Sequence, residues 1–501
     1  SVLEAGWRIV SGQVPHTDFH KPLGSLTYLL AAFGMKVAPP SVASITYGNI
    51  LIASLLIPAA WYLASARFSW LITTLFVLFE GFYLVTPRPP GYPIRYTSYA
   101  MSYNRLGYVL IVLICLCVLL ERRNPTEKTR FYEGAIAGAV LALLLYCKVT
   151  YFVAGAAIAV LGVVFESKSW RWLAAMTGAF LGVCAAFWVF LHISLVAYAE
   201  DILAAVPVQS PHMRMRLLAE GFQNNAVNIY LLVFAVALCS LPQRRLAVRR
   251  FPVLRLWLVA AAMIATSLWI LSGNASQGGG VEDPMYFLAI LLVTGLFARQ
   301  IGRDMERPGC GAPWVYTACL LIVPLFSFPI LAGEIASTGY AVAWDLVKRP
   351  HYDPAKRIHS AHLQDFYVPV LSRGCGPWPV SEFPMRINDG IDLLRANVQP
   401  NDRITTVEYV DLFSFALDTP PARNGLLWWD LNFSFSETRH PPAEEFLGNT
   451  SLVMVPRNVD AKLGCDFSLP DAMLKLYGSY LQSHFHVIAS TDTWILYRRN
   501  I

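Results

Sequence analysis

The chain has 501 residues, 55% of them hydrophobic and 14% charged. Soluble domains carry roughly a quarter charged residues, so composition alone disfavours a water-soluble globular protein. The net charge of +6 is small and lies mostly in short loops, which argues against a nucleic-acid partner and makes the basic residues reporters of membrane orientation.

The chain opens on an amphipathic stretch. A dense polar cluster follows, with His16, Asp18, His20 and Lys21 inside six residues. Residues 23–38 are apolar but too short to cross a bilayer comfortably, so residues 1–40 read as interfacial helices. Apolar runs near 41–64, 68–86, 106–120, 134–147, 150–165, 173–197, 226–241, 256–272, 285–298 and 315–333 predict about ten membrane spans over 41–333. The pair flanking Lys148 also reads as one broken helix. Basic residues concentrate in one set of loops, around Arg67, Arg122, Arg123, Lys168, Arg171, Arg244–Arg255 and Arg299–Arg307. The positive-inside rule places that set in the cytoplasm. Residues 1–40, the loops near 87–105, 198–225 and 272–284, and everything after about 334 then lie outside.

From 334 to 501 the pattern becomes mixed, with strand-like RITTVE (403–408), SLVMVP (451–456) and TWILY (493–497) between helix-like 387–397 and 472–483. This predicts a C-terminal extracytoplasmic α/β or α+β domain. The expected fold is therefore a mainly α, polytopic membrane bundle carrying that domain. Most of the nine cysteines lie in apolar runs and none has CxxC metal spacing. Cys375 and Cys465 lie in the polar region and could pair in an oxidising compartment, or remain thiols.

Asp18, beside cations at a membrane surface, is the leading candidate for a general base. The other reading of Asp18 is a capped turn between two interfacial helices. Lys148 costs roughly 2.5–3.5 kcal/mol at the centre of a span on insertion scales. That cost is tolerated where the ammonium faces a cavity or an anion, or where it snorkels to the interface. Arg88, Arg95 and Arg105 could hold phosphate through their planar forks, and Asn104 opens a helix beside Arg105. Glu282 and Asp283 could touch substrate from an outer loop, as could His212, Arg214 and Arg216. A divalent metal on Asp18, His20 and Glu282-Asp283 is imaginable, but no spacing argues for it. Glu80, inside an apolar run, calls for a cationic partner. Walker, GxGxxG, nucleophile-elbow and HExxH motifs are all missing. That argues against an ATP-driven pump, a Rossmann nucleotide-sugar enzyme, a lipase and a zinc protease.

The stretch WRIVSGQVPHTDFHKPLGSLTYLLAAFG (residues 7–34) resembles the first extracytoplasmic loop of the polytopic GT-C glycosyltransferases. These include the protein O-mannosyltransferases and the aminoarabinose transferases of lipid A. Ser11-Gly12 matches the end of their first interfacial helix, and Pro15–Phe19 and Lys21-Pro22 match their "PY-x-D-F" and "F-x-K-P-P" elements. LLYCKVT (144–150) is similar to their lysine at a helix break, and SYNRLGY (102–108) to the polar entry of a later span. The layout covers nearly the whole chain; the motifs are short. The resemblance implies transfer of a sugar from a polyprenyl-phosphate donor, with inversion, to a lipid, glycan or protein acceptor. The transfer would take place on the outer face of a bacterial inner membrane. Lys148, Arg105 and Arg88 would meet the donor phosphate, and His16, His20, Lys21, Asn104, Glu282 and Asp283 would line the substrate loops. The family's principal acid lies upstream of the "SG" element, which by spacing falls before Ser1. An upstream helix with that acid is therefore expected, with Glu4 a poor substitute for it and Asp18 the base within the chain. A secondary transporter would show paired inverted repeats, and none is visible. A non-catalytic scaffold of envelope assembly is the third reading.

Overall fold

The computed structural model describes residues 1–99, 101–166, 168–208, 211–245, 250–273, 283–304, 313–348, 357–366, 382–457 and 469–500. The chain is mainly helical. In order come α1 (Val2–Val10), α2 (Leu26–Val37), α3 (Ser44–Ser65), α4 (Trp70–Val85), α5 (Ser102–Leu119), α6 (Glu127–Cys147) and α7 (Val149–Glu166). Next are α8 (Trp170–Leu191), α9 (Leu195–Ala205), α10 (Pro211–Asn224), α11 (Ala226–Arg245), α12 (Arg250–Ser272), α13 (Pro284–Asp304) and α14 (Pro313–Ala343). After a π-helical turn at Trp344–Lys348 come α15 (Phe383–Asn397), β1 (Ile404–Thr406), α16 (Phe413–Ala416) and α17 (Ala443–Leu447). The chain closes on β2 (Leu452–Pro456), α18 (Leu469–His484), β3 (Phe485–Ser490) and β4 (Trp494–Arg499).

All ten expected apolar runs fall on helices, but not all of those helices are long enough to bear out a count of about ten spans. Among the described residues six helices are long and apolar enough to cross a membrane, or seven if the bent pair α10–α11 is one span. The shortfall is in length. At about 1.5 Å per residue, the 16 residues of α4 reach about 24 Å, short of a roughly 30 Å hydrocarbon core. The apolar parts of α7 and α13 are similarly short. Cys375, Cys465 and Glu282 lie outside the described residues.

The chain divides into two compact units. One holds residues 53–185 and 211–342. Its central helix is α5, with 89% of its apolar window buried, as expected for a helix apolar all round. By contrast α8 buries only 11% of its window and turns Trp170, Leu181, Trp188 and Phe190 outward. An outward apolar face of that kind suits lipid surroundings. Small residues set the packing distances: a Cβ at Gly138 would stand 1.9 Å from the Met176 carbonyl oxygen, so α6 and α8 meet backbone to backbone. The start of α6 is closed by a reciprocal pair, Thr129 N–H to Thr126 Oγ1 and Thr126 N–H to Thr129 Oγ1. Lys148 breaks α6 from α7 with an extended backbone (φ −168, ψ 131). Arg67 lies in the turn between α3 and α4, as expected, and is buried there. It forms a fork with Glu133 at 2.8 Å on both sides and donates to Leu120 O. Glu80 is buried, and no ion pair to it is found among the described residues.

The other unit joins residues 1–52, 186–210 and 343–501. Its sheet runs β1-β2-β4-β3, with β1 parallel to β2 and the other pairs antiparallel. The apolar run of β2 is buried on both faces. Leu452 and Met454 join a core with Ile391, Phe413 and Trp494, while Val453 and Val455 join Trp429, Phe446 and Tyr477 on the other side. The first core also takes Leu3, Trp7 and Val10 from α1. The apolar face of α1 is therefore spent inside the protein. Trp7 Nε1 donates to Thr419 O, Arg8 Nη1 to Ala422 O and Gln13 Nε2 to Pro421 O.

Candidate functional site

After α1 the chain turns at Gly12, whose φ of +83 favours glycine. Residues 14–19 then close on themselves: His16 N–H donates to Phe19 O, and Asp18 Oδ2 accepts the Val14 N–H at 2.8 Å. His20 N–H donates to Gly425 O and His20 O accepts from Leu427 N–H, which ties the loop to residues 424–427. This rigid loop presents both imidazoles to α9.

Asp201 on α9 receives them. Its Oδ2 lies 2.7 Å from His16 Nδ1 and its Oδ1 lies 2.8 Å from His20 Nδ1. The Lys21 backbone N–H adds a third hydrogen bond at 3.0 Å. A carboxylate can only accept, so both facing ring nitrogens carry protons. Burial by itself raises the Asp201 carboxyl, but the hydrogen bonds from His16, His20 and Lys21 outweigh it and hold it below the ordinary range.

The two histidines sit in different surroundings. The His16 side chain is fully buried, with Nε2 3.0 Å from Ser25 Oγ and its ring 4.5 Å from that of Tyr198. Burial pushes it down to about 4 despite Asp201, so at neutral pH it is uncharged and accepts the Ser25 hydroxyl proton at Nε2. The His20 side chain keeps 29% exposure, and its Nε2 lies 3.7 Å from Glu445 Oε1. The hydrogen bond to Asp201 raises its pKa against the opposing effect of burial, with Glu445 and Glu200 adding to the rise. The result is an imidazole with one oriented nitrogen, Nδ1, on a side chain that stays partly exposed. Lys21 is buried, its Nζ 3.3 Å from the centroid of the Tyr28 ring and without a hydrogen-bond acceptor among the described residues. Burial lowers it well below an ordinary lysine.

Asp18 serves the turn: among the described residues its side chain meets, besides Val14 N–H, only Arg423 at 3.5 Å. Glu4 is buried against Arg8 at 2.9 Å and is pushed up to about 7 by burial, against the pull of that guanidinium. Neither touches Asp201. The acid that does was overlooked in the sequence. Its signal was a charged pair, Glu200-Asp201, inside the otherwise apolar LVAYAEDILAA of α9.

The remaining candidates belong to the other unit. Arg105 grips Glu334 through Nη1 at 3.0 Å and Nη2 at 2.9 Å, and donates to Tyr83 O and Arg88 O. Arg88 reaches the same carboxylate at 2.8 Å and Tyr92 O at 2.6 Å. Asn104 accepts from the Tyr151 hydroxyl at 3.3 Å. Lys148 Nζ donates to Gly273 O at 3.1 Å and lies over the Tyr103 ring. Asp283 accepts from Ser267 and the Met285 N–H. Among the described residues no group of three or more His, Cys, Asp or Glu side chains is arranged to hold a metal ion. Comparison of the chain with protein-family models, curated proteins and solved structures gives no match.

Proposed function

We propose that the protein is a membrane glycosyltransferase that moves a sugar from a polyprenyl-phosphate donor to an acceptor hydroxyl, with His20 as the general base and Asp201 as its orienting carboxylate. The observation that carries this reading is the 2.8 Å contact of His20 Nδ1 with Asp201, itself fixed by His16 and the Lys21 amide. With Nδ1–H committed to Asp201, the lone pair of the neutral ring is on Nε2. The acceptor oxygen attacks the anomeric carbon and its proton passes to Nε2. The carbon–oxygen bond to phosphate breaks, and the lipid phosphate departs with the electron pair and with inversion. Asp18, expected as the base, is read here as the residue that shapes the loop presenting His20. Arg88 and Arg105, expected at the donor phosphate, instead both hold Glu334. The reading implies the outer face of a bacterial inner membrane, with the C-terminal region on the acceptor side.

The test is transfer in proteoliposomes from polyprenyl-phosphate pentoses and hexoses to a membrane-extract acceptor. Product from the wild type, with His20→Gln reduced at least ~100-fold, is the expected result. No product from any such donor, or wild-type rates in His20→Gln, would overturn the proposal.

A further inference from the structure

Both ring nitrogens of His20 face carboxylates, and the two come from distant parts of the chain. Nδ1 meets Asp201 of α9 at 2.8 Å, and Nε2 meets Glu445 of α17 at 3.7 Å. The second distance is too long for a hydrogen bond but well inside Coulombic range. It is also not a chance meeting of two loose surface side chains. Phe446 and Leu447, next to Glu445, are anchored in the core with Trp429 and Tyr477. The His20 backbone is tied on both sides to Gly425 and Leu427. The fold therefore sets where the Glu445 carboxylate stands relative to the imidazole, while the Glu445 side chain keeps 38% exposure.

Among the described residues, the charged and titratable groups at this imidazole come from three elements. Asp201 and Glu200 approach from α9, Glu445 from α17, and His16 and Lys21 from its own loop. His16 is uncharged at neutral pH and Lys21 is turned onto Tyr28, so carboxylates dominate the field at the ring. Asp201 already accepts from three donors. Glu445 has no such commitment to the loop, and it stands on the nitrogen that must receive a proton.

We infer that Glu445 is a positioning residue of the transfer step, completing with Asp201 a two-carboxylate clamp that holds the proton His20 takes from the acceptor. This rests on the proposed role of His20. As the acceptor O–H bond breaks, the proton and its positive charge arrive at Nε2, and the imidazolium formed lies between two anions supplied by separate segments. The proton then leaves to water or to the departed phosphate, which resets the neutral base. The clamp also explains why a short helix of the C-terminal region is built against the first loop.

The experiment is Glu445→Gln, with Glu444→Gln on the same helix as control. His20 is titrated by histidine NMR in the purified full-length protein in detergent, and the pH dependence of transfer is measured in proteoliposomes. Loss of one partly exposed charge at this distance should lower the His20 pKa and the acid limb of the rate profile together by about half a pH unit. kcat should fall several-fold with little change in KM, and Glu445→Asp should recover part of it. Glu444→Gln should leave both titrations in place. An unchanged His20 titration in Glu445→Gln overturns the clamp, as does a lowered titration with an unmoved acid limb in an active enzyme. A wild type that shows the NMR shift but transfers no sugar counts against the functional reading and not against the clamp.

Discussion

Asp201→Asn separates a buried catalytic frame from an ordinary surface acid. Asp201 accepts three hydrogen bonds, from His16 at 2.7 Å, His20 at 2.8 Å and the Lys21 N–H at 3.0 Å, with 7% of its side chain exposed. Asparagine keeps one acceptor oxygen and turns an NH2 group towards a ring that also presents N–H. Bonds to charged groups contribute about 1.5–3 kcal/mol, against about 0.5–1.5 for neutral ones. Three bonds each weakened by about 1 kcal/mol, less the relief of not burying a charge, give a destabilisation of about 2–3 kcal/mol. The kinetic effect is larger. To avoid the clash His20 must move its proton to Nε2, which removes the lone pair that the proposed transfer step needs as base. An oriented general base contributes about 10²–10⁴-fold, so transfer should fall at least ~100-fold. Thermal unfolding in detergent and transfer in proteoliposomes measure the two effects on one preparation. Asp18→Asn is the comparison, because an amide oxygen can still accept the Val14 N–H. It should cost under about 1 kcal/mol and little activity. The reasoning is refuted if Asp201→Asn matches wild type in both measurements, or if Asp18→Asn is the more damaging change.

Three further outcomes are expected. His16 is held down to about 4, whereas an unfolded histidine titrates near ~6.5. As pH falls the unfolded chain takes up this proton first, so stability contributed by His16 is full above about 6.5 and is lost on the way down to 4, by roughly 3 kcal/mol. Denaturant unfolding across that window should be flatter in His16→Asn, which tolerates the local φ of +67. Gly138→Ala should lower the unfolding temperature, because its Cβ would meet the Met176 carbonyl oxygen at 1.9 Å, while Gly178→Ala on α8, with nothing within 4 Å, should not. Glu133→Ala strands the buried Arg67 guanidinium and should cost about 3–5 kcal/mol, visible as loss of monodisperse protein on size-exclusion chromatography. A wild-type elution profile for Glu133→Ala would contradict that ledger.

The ten helical runs were legible because apolar composition sustained over many residues has few outcomes other than a buried or lipid-facing helix. The strands at Ile404–Thr406, Leu452–Pro456 and Trp494–Arg499 were legible from their β-branched and aromatic runs. The strand Phe485–Ser490 was not, because FHVIAS carries no clear alternation and follows a helix without a break. Span length was also beyond the sequence, since helix ends depend on caps and on backbone breaks such as Lys148.

The polar cluster His16–Lys21 could be recognised as unusual from composition and spacing alone. Its meaning could not. Which of its residues faces a partner depends on Asp201, about 180 positions away, and on Glu445, more than 400 away. Hydrogen bonding and Coulomb forces act over a few ångströms and are blind to separation along the chain. The sequence by itself determined a mainly α, lipid-suited chain with a charged first loop. Only tertiary packing decided that Asp18 closes a turn while Asp201 orients the histidines, because only packing brings α9 and residues 424–445 against that loop.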